Sequence, residues 1–132
     1  MTWARTVSDA KRSSLDFMRT VKRCSPGVSQ EVTSQLPSSP YVKGVANLSE
    51  NARGQMIGET GSLKLLFRRE DMKLLGVHLI GEGATELVHI GLLAMMSGAT
   101  AELFIEACFN YPTLSDAYKY ATYDALQRKA RA

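Results

Sequence analysis

Apolar and polar positions alternate most regularly in the middle of the chain. Leu63, Leu65 and Phe67 alternate with Lys64, Leu66 and Arg68, which predicts a strand over residues 62–69 with one fully apolar face and one mixed face. A second apolar run, Leu74–Ile80, follows the charged turn Glu70-Asp71-Met72-Lys73. Two strand-length runs joined by four residues predict an antiparallel hairpin. Residues 41–46 predict a further short strand. Gly54, Gly58 and Gly61 punctuate the stretch between it and the hairpin, which reads as an irregular connection.

Beyond Gly81 and Gly83 the period lengthens. Leu87, Val88, Ile90, Gly91, Ala94 and Met95 follow the i, i+3, i+4, i+7 rhythm of a helix, with Gly98 as its expected C-terminal stop. Thr100 is placed to cap a short helix carrying Leu103, Phe104 and Ala107. Pro112 and Thr113 open a last helix whose Leu114, Ala117, Tyr118, Ala121 and Ala125 share a face. Thr113 and Asp116 have capping-box spacing, although Asp replaces the preferred Glu or Gln. Arg128, Lys129 and Arg131 suit the negative end of that helix. Strands followed by helices give an α+β class, an antiparallel sheet with helices packed on one face.

The first part of the chain has a different character. Trp3, Val7, Ala10, Phe17 and Val21 follow a 4-3 spacing interrupted at Ser14, which predicts a short helix over residues 1–24. Pro26, Gly27, Pro37 and Pro40 among serines mark a loop over 25–40, with two helical turns at 29–36. Charge separates the two parts further. Residues 1–26 carry six basic side chains against Asp9 and Asp16, whereas residues 27–132 carry ten basic and eleven acidic ones. The formal charge of +3 therefore belongs to a basic N-terminal extension, residues 1–26, and not to a nucleic-acid-binding face on the body. An Arg- and Ser-rich start also has features of a presequence or a membrane-surface helix, but a solvated or partner-packed extension explains it more simply. At 132 residues the chain suits one domain, and no apolar run is long enough to cross a bilayer. Cys24 and Cys108 are isolated and form no redox or zinc motif, as expected of a cytoplasmic protein.

Few residues offer chemistry of their own. Gly81-Glu82-Gly83-Ala84-Thr85-Glu86 lies between a strand and a helix, as a dinucleotide fingerprint would. However, Glu86 takes the third glycine's place, and the strand before it belongs to a hairpin rather than a β-α-β unit. A structural turn is the expectation. Glu82, Glu86 and His89 fall on one helical side, but a di-metal site needs a second Glu-x-x-His, which the chain lacks. His89 is expected to be hydrogen-bonded at a helix interface, and His78 has no partner by spacing. Cys108 is expected to be a buried, inert thiol.

Residues 109–118, Phe-Asn-Tyr-Pro-Thr-Leu-Ser-Asp-Ala-Tyr, are the most informative stretch. They resemble the His-Pro-Thr-Leu-Ser-Glu signature of the pyridine nucleotide–disulfide oxidoreductases, with Tyr111 in the histidine's place. The preceding order agrees: Ala-Arg-Gly (52–54), the glycine-bounded hairpin, then Ala-Thr-Glu-Leu-Val-His-Ile (84–90). Residues 28–130 resemble the C-terminal dimerisation domain of that family, most strongly from Asn51 onward, and are most similar to its soluble transhydrogenase branch. The domain is accordingly assigned to residues 27–132.

That resemblance implies a homodimer, or association with a flavoenzyme subunit, with no membrane or nucleic-acid partner. Family members use FAD to pass hydride between nucleotides, and the transhydrogenase branch exchanges it between NADPH and NAD. Tyr111, Pro112, Thr113 and Asp116 would form a loop facing the partner's flavin. In disulfide-reducing members the histidine is an acid–base group for a thiol. An unperturbed phenol, with a pKa of about 10, cannot take over that role at neutral pH. Tyr111 therefore suits hydride exchange, which needs no thiol proton. The family's FAD and NAD domains are not recognisable in the chain. The expectation is thus a fragment without catalytic residues that binds no cofactor alone. An independent interaction module working through its basic N-terminal helix is the alternative.

Overall fold

The computed structural model describes residues 40–131. The helix expected over 1–24 and the loop and helical turns expected before Pro40 lie outside the described residues. The chain forms β1 (Tyr41–Asn47), a 3₁₀ turn (Leu48–Glu50) and α1 (Ala52–Ile57). The hairpin β2 (Ser62–Arg68) and β3 (Leu74–Ile80) follows. Then come α2 (Ala84–Met96), α3 (Ala101–Glu106), a second 3₁₀ turn (Leu114–Asp116) and α4 (Ala117–Arg131).

The three strands pair antiparallel in the order β1-β2-β3. Register aligns Val42 with Phe67, Gly44 with Leu65 and Ala46 with Leu63, while Leu65 meets Val77 and Leu63 meets Leu79. These pairs form one buried face, as the alternation in β2 predicts. In β3 the alternation breaks. Leu66 pairs with Gly76 but Phe67 pairs with Leu74, which leaves Leu75 as an extra, bulged residue. The bulge lets Leu74 join Val77 in the core while Leu75 stays exposed.

Both long helices cover this face. α4 crosses β1 and β2, and α2 lies on β3 with Gly91 over Val77. The contact of α4 is set by small residues. A Cβ on Gly44 would stand 1.8 Å from the Ala121 carbonyl oxygen and 2.8 Å from the Ala125 Cβ, so only glycine permits the approach. Phe67, Phe104 and Tyr118 fill the centre, Phe104 stacked on Tyr118 at 5.2 Å and edge-on to Phe67 at 6.4 Å. Each such side chain contributes about 1.5–3 kcal/mol by burial. The architecture is the α+β arrangement expected, with helices on one face of the sheet.

Two local expectations require correction. The glycine-punctuated connection contains a helix, α1, because Asn51 caps its start and Gly58, at φ 72°, closes its end in the left-handed region. The capping box at Thr113 and Asp116 does not form. The Thr113 hydroxyl donates instead to the Asn110 carbonyl at 2.8 Å, and the chain enters α4 through a 3₁₀ turn. α2 ends at Met96, with Ser97 as C-cap and Gly98 just beyond it. Thr100 holds the N-cap position of α3 without a side-chain bond.

Candidate functional site

The loop over residues 107–113 leaves α3 and returns into α4, and its ends are fixed from inside the fold. Asn51 is buried and works in two directions. Its Oδ1 accepts from the Arg53 amide at 2.9 Å and the Gly54 amide at 3.4 Å, and its Nδ2 donates to the Thr113 carbonyl at 2.9 Å. One side chain thus starts α1 and ties the loop to it. On the other side, Leu114 packs against Gly83 and the core. Tyr118, fully buried one turn further on, donates its hydroxyl to the Leu87 carbonyl at 2.7 Å and accepts from the Gly91 amide at 3.2 Å. Burial pushes the ionisation of that phenol far up, the Gly91 amide opposing, so it remains a neutral strut between α4 and α2.

From this base the tip of the loop projects outward. Tyr111 is 76% exposed, Pro112 is exposed, and the peptide between them is cis. Thr113 and Asp116 are half-buried at the root. Among the described residues neither the Tyr111 hydroxyl nor the Asp116 carboxylate makes a hydrogen bond, and the two are not joined to each other. Tyr111, Pro112 and Thr113 therefore belong to this loop and Asp116 to the 3₁₀ turn at its root, with the phenol presented to solvent and unpartnered among the described residues.

The other candidates are dispersed. The Gly81-Glu82-Gly83 turn is organised by Glu59, whose carboxylate accepts from the Gly61 amide at 2.8 Å, the Glu82 amide at 2.9 Å and the Thr60 amide at 3.0 Å. These bonds, that from Gly61 foremost, hold the Glu59 carboxyl below its usual range. The turn's amide is thus engaged by an internal anion, a poor setting for a second, phosphate anion. His89 is exposed, with its own helix's Glu86 carbonyl near Nδ1 at 3.3 Å, so among the described residues it is not packed at a helix interface. Its neighbours Glu82 and Glu86 are exposed too, and no three His, Cys, Asp or Glu among the described residues are grouped to hold a metal. His78 is half-buried beside Lys64 on the sheet face opposite α2 and α4, and burial, then that lysine, lower its pKa from 6.5. Cys108 is exposed, contrary to the buried thiol expected, because α3 ends at Glu106 and its apolar face stops with it. No helix among the described residues is long and apolar enough to cross a membrane.

Sequence comparison places this geometry in context. Residues 24–122 match the family model of the pyridine nucleotide-disulphide oxidoreductase dimerisation domain. The chain belongs to that family.

This dimerisation domain is 50% identical over 99 residues to the soluble pyridine nucleotide transhydrogenase of Mycobacterium tuberculosis (strain H37Ra), covering 74% of the chain and 21% of that relative. It is 44% identical over 103 residues to the protein of the same name from Yersinia pestis (strain Pestoides F), covering 75% and 22%. The chain thus spans about a fifth of the length of the curated relatives it matches. In three dimensions it is similar to LpdA from Mycobacterium tuberculosis, with a TM-score of 0.61 at 24% identity over 65% of this chain and 19% of that one. A second likeness, to the flavoprotein disulfide reductase RclA from Escherichia coli, has a TM-score of 0.60 at 16% identity over 64% and 20%. At these identities the two structures speak for the fold alone.

Asn51 and Glu59 were missed as organising residues by sequence reasoning. Asn51 carried a readable signal, an Asx residue immediately before Ala-Arg-Gly. Glu59 carried none for its reach to Glu82, which lies 23 residues away.

Proposed function

We propose that this domain pairs subunits of a soluble, FAD-dependent pyridine nucleotide transhydrogenase and presents loop 111–116 to the partner's flavin site. Tyr111 carries the reading: a solvent-presented phenol, where disulfide-reducing members have an acid–base histidine, in a chain half identical to proteins named transhydrogenases. A flavin bound by the rest of such an enzyme would supply the hydride relay. The residues of this chain would border it. Asn51 and Leu114 would hold the loop in place, Tyr111 and Pro112 would cover apolar surface, and Asp116 would line the approach. None of these groups is called on to protonate a thiol. The protein would act in the cytoplasm, and this chain alone would bind neither FAD nor NAD(P).

Light scattering on the purified chain tests the pairing, and its visible absorbance tests the cofactor. The expected result is a colourless dimer; a monomer, or a yellow one-to-one FAD complex, would overturn the respective half. Joined to the flavin and nucleotide domains of a transhydrogenase, the chain should support NADPH-to-NAD hydride transfer, and Tyr111→Phe should change its rate by no more than about twofold. A loss of about 10²-fold or more would make the phenol an acid–base group and reject the reading.

A further inference from the structure

A groove separate from loop 111–116 lies between the β2–β3 turn, α3 and the C-terminal half of α4. It is an open cavity of about 510 Å³. Its floor is apolar, formed by Met72, Ile105 and Leu126, the last 37% exposed. Its walls are acidic. Among the described residues Glu70, Asp71, Glu102 and Glu106 line the groove with Lys129 as the one cation. Asp71 already bonds the Arg68 guanidinium at 3.3 Å and the Lys73 amide at 3.1 Å. Glu70, Glu102 and Glu106 make no ion pair among the described residues. An apolar floor between unneutralised carboxylates fits a basic segment with an apolar row.

The chain has such a segment, and the described residues begin beside the groove. Residues 1–26 carry Arg5, Lys11, Arg12, Arg19, Lys22 and Arg23 against two aspartates, with Trp3, Val7, Ala10, Phe17 and Val21 at helical spacing. The described chain begins at Pro40, whose carbonyl accepts from the Arg69 amide at 2.9 Å, one residue before Glu70. With the two helical turns expected at 29–36, the thirteen residues from 27 to 39 span up to about 30 Å, enough to return the segment to a groove beside Pro40.

We propose that residues 1–26 dock in this groove of the same chain, basic side chains against Glu70, Glu102 and Glu106 and the Trp3 row against Met72, Ile105 and Leu126. Tethering favours it. A linker of this kind supplies an effective concentration of about 1 mM, at which a contact of only about 100 μM affinity is about nine-tenths formed. Docking would give the +4 extension a partner within the protein and cover the apolar strip between α3 and α4. The proposal is independent of the flavin-facing role of loop 111–116.

Trp3 is the single tryptophan of the chain and reports on the site directly. Its emission and acrylamide quenching are measured in the full-length protein, with a synthetic peptide of residues 1–26 as reference. The expected result is a blue-shifted emission and a quenching constant about twofold or more below the peptide's, both unchanged on dilution. The double variant Glu102→Lys/Glu106→Lys should return both to the peptide's values with unaltered far-UV circular dichroism. Both residues are exposed on α3, and Glu86→Lys near the start of α2 controls for charge. Quenching in the wild type equal to the peptide's would overturn the proposal. So would shielding that persists in the double variant, which puts the segment elsewhere. Shielding lost on dilution would mean a second copy's groove, and would also overturn it.

Discussion

A single side chain, Asn51, decides where the exposed loop sits. Its carbonyl oxygen caps α1 while its amide nitrogen holds the Thr113 carbonyl, so its two functions can be separated chemically. Asn51→Ala should lose both and cost about 2 kcal/mol in urea denaturation. Asn51→Asp should keep the cap but lose the donor, and hydrogen exchange should then rise selectively around Thr113. Gly44 makes the opposite kind of contribution, through what it lacks. Gly44→Ala places a methyl inside the Ala121 carbonyl, and since backbone on both sides must move, a loss of about 3 kcal/mol or more is expected by the same assay. Sequence reading found the alanine stripe of α4, because helical periodicity is local. It could not identify Gly44 as the stripe's partner, because the two meet only after the sheet forms. Cys108 shows the same limit: its apolar neighbours suggested burial, and only the end of α3 exposes it.

Between elements, charge ties turns together in ways that respond to pH. Glu59 links the end of α1 to the β3–α2 turn through three amides. Because the fold lowers its pKa from 4.5, its stabilisation is complete above that value and is lost as pH falls through the lower folded value. Glu59→Gln should lower the urea midpoint at neutral pH and flatten its decline below pH 4.5. His78 acts from the other sheet face. Its folded pKa is also lowered, from 6.5, so the unfolded chain takes up the proton first and stability declines as pH drops below 6.5. His78→Gln should reduce that decline, and Lys64→Gln should reduce it partly, because burial outweighs the lysine as cause. The hairpin was legible from alternation and α2 from its period. The bulge at Leu75 and the helix α1 were not. The bulge is a compromise between register and core packing, and six residues are too few for a periodic signal.

For the molecule as a whole, pairing is expected to show in stability. A domain stabilised by self-association melts at a temperature that rises with protein concentration, and a concentration series in differential scanning fluorimetry checks this for the proposed dimer. A flat midpoint would speak for an independent monomer. The sequence by itself determined the α+β class, the order of the hairpin and helices, the family and the loop that ends in Tyr111, all properties of local periodicity or of residues adjacent in the chain. Tertiary structure decided that Asn51 anchors this loop, that Glu59 rather than a phosphate occupies the glycine turn, and that Glu70, Glu102 and Glu106 surround one apolar groove. The Asn51–Thr113, Glu59–Glu82 and Glu70–Glu102 pairings join residues 62, 23 and 32 positions apart, and no local pattern encodes a contact that exists only once helices and sheet have packed.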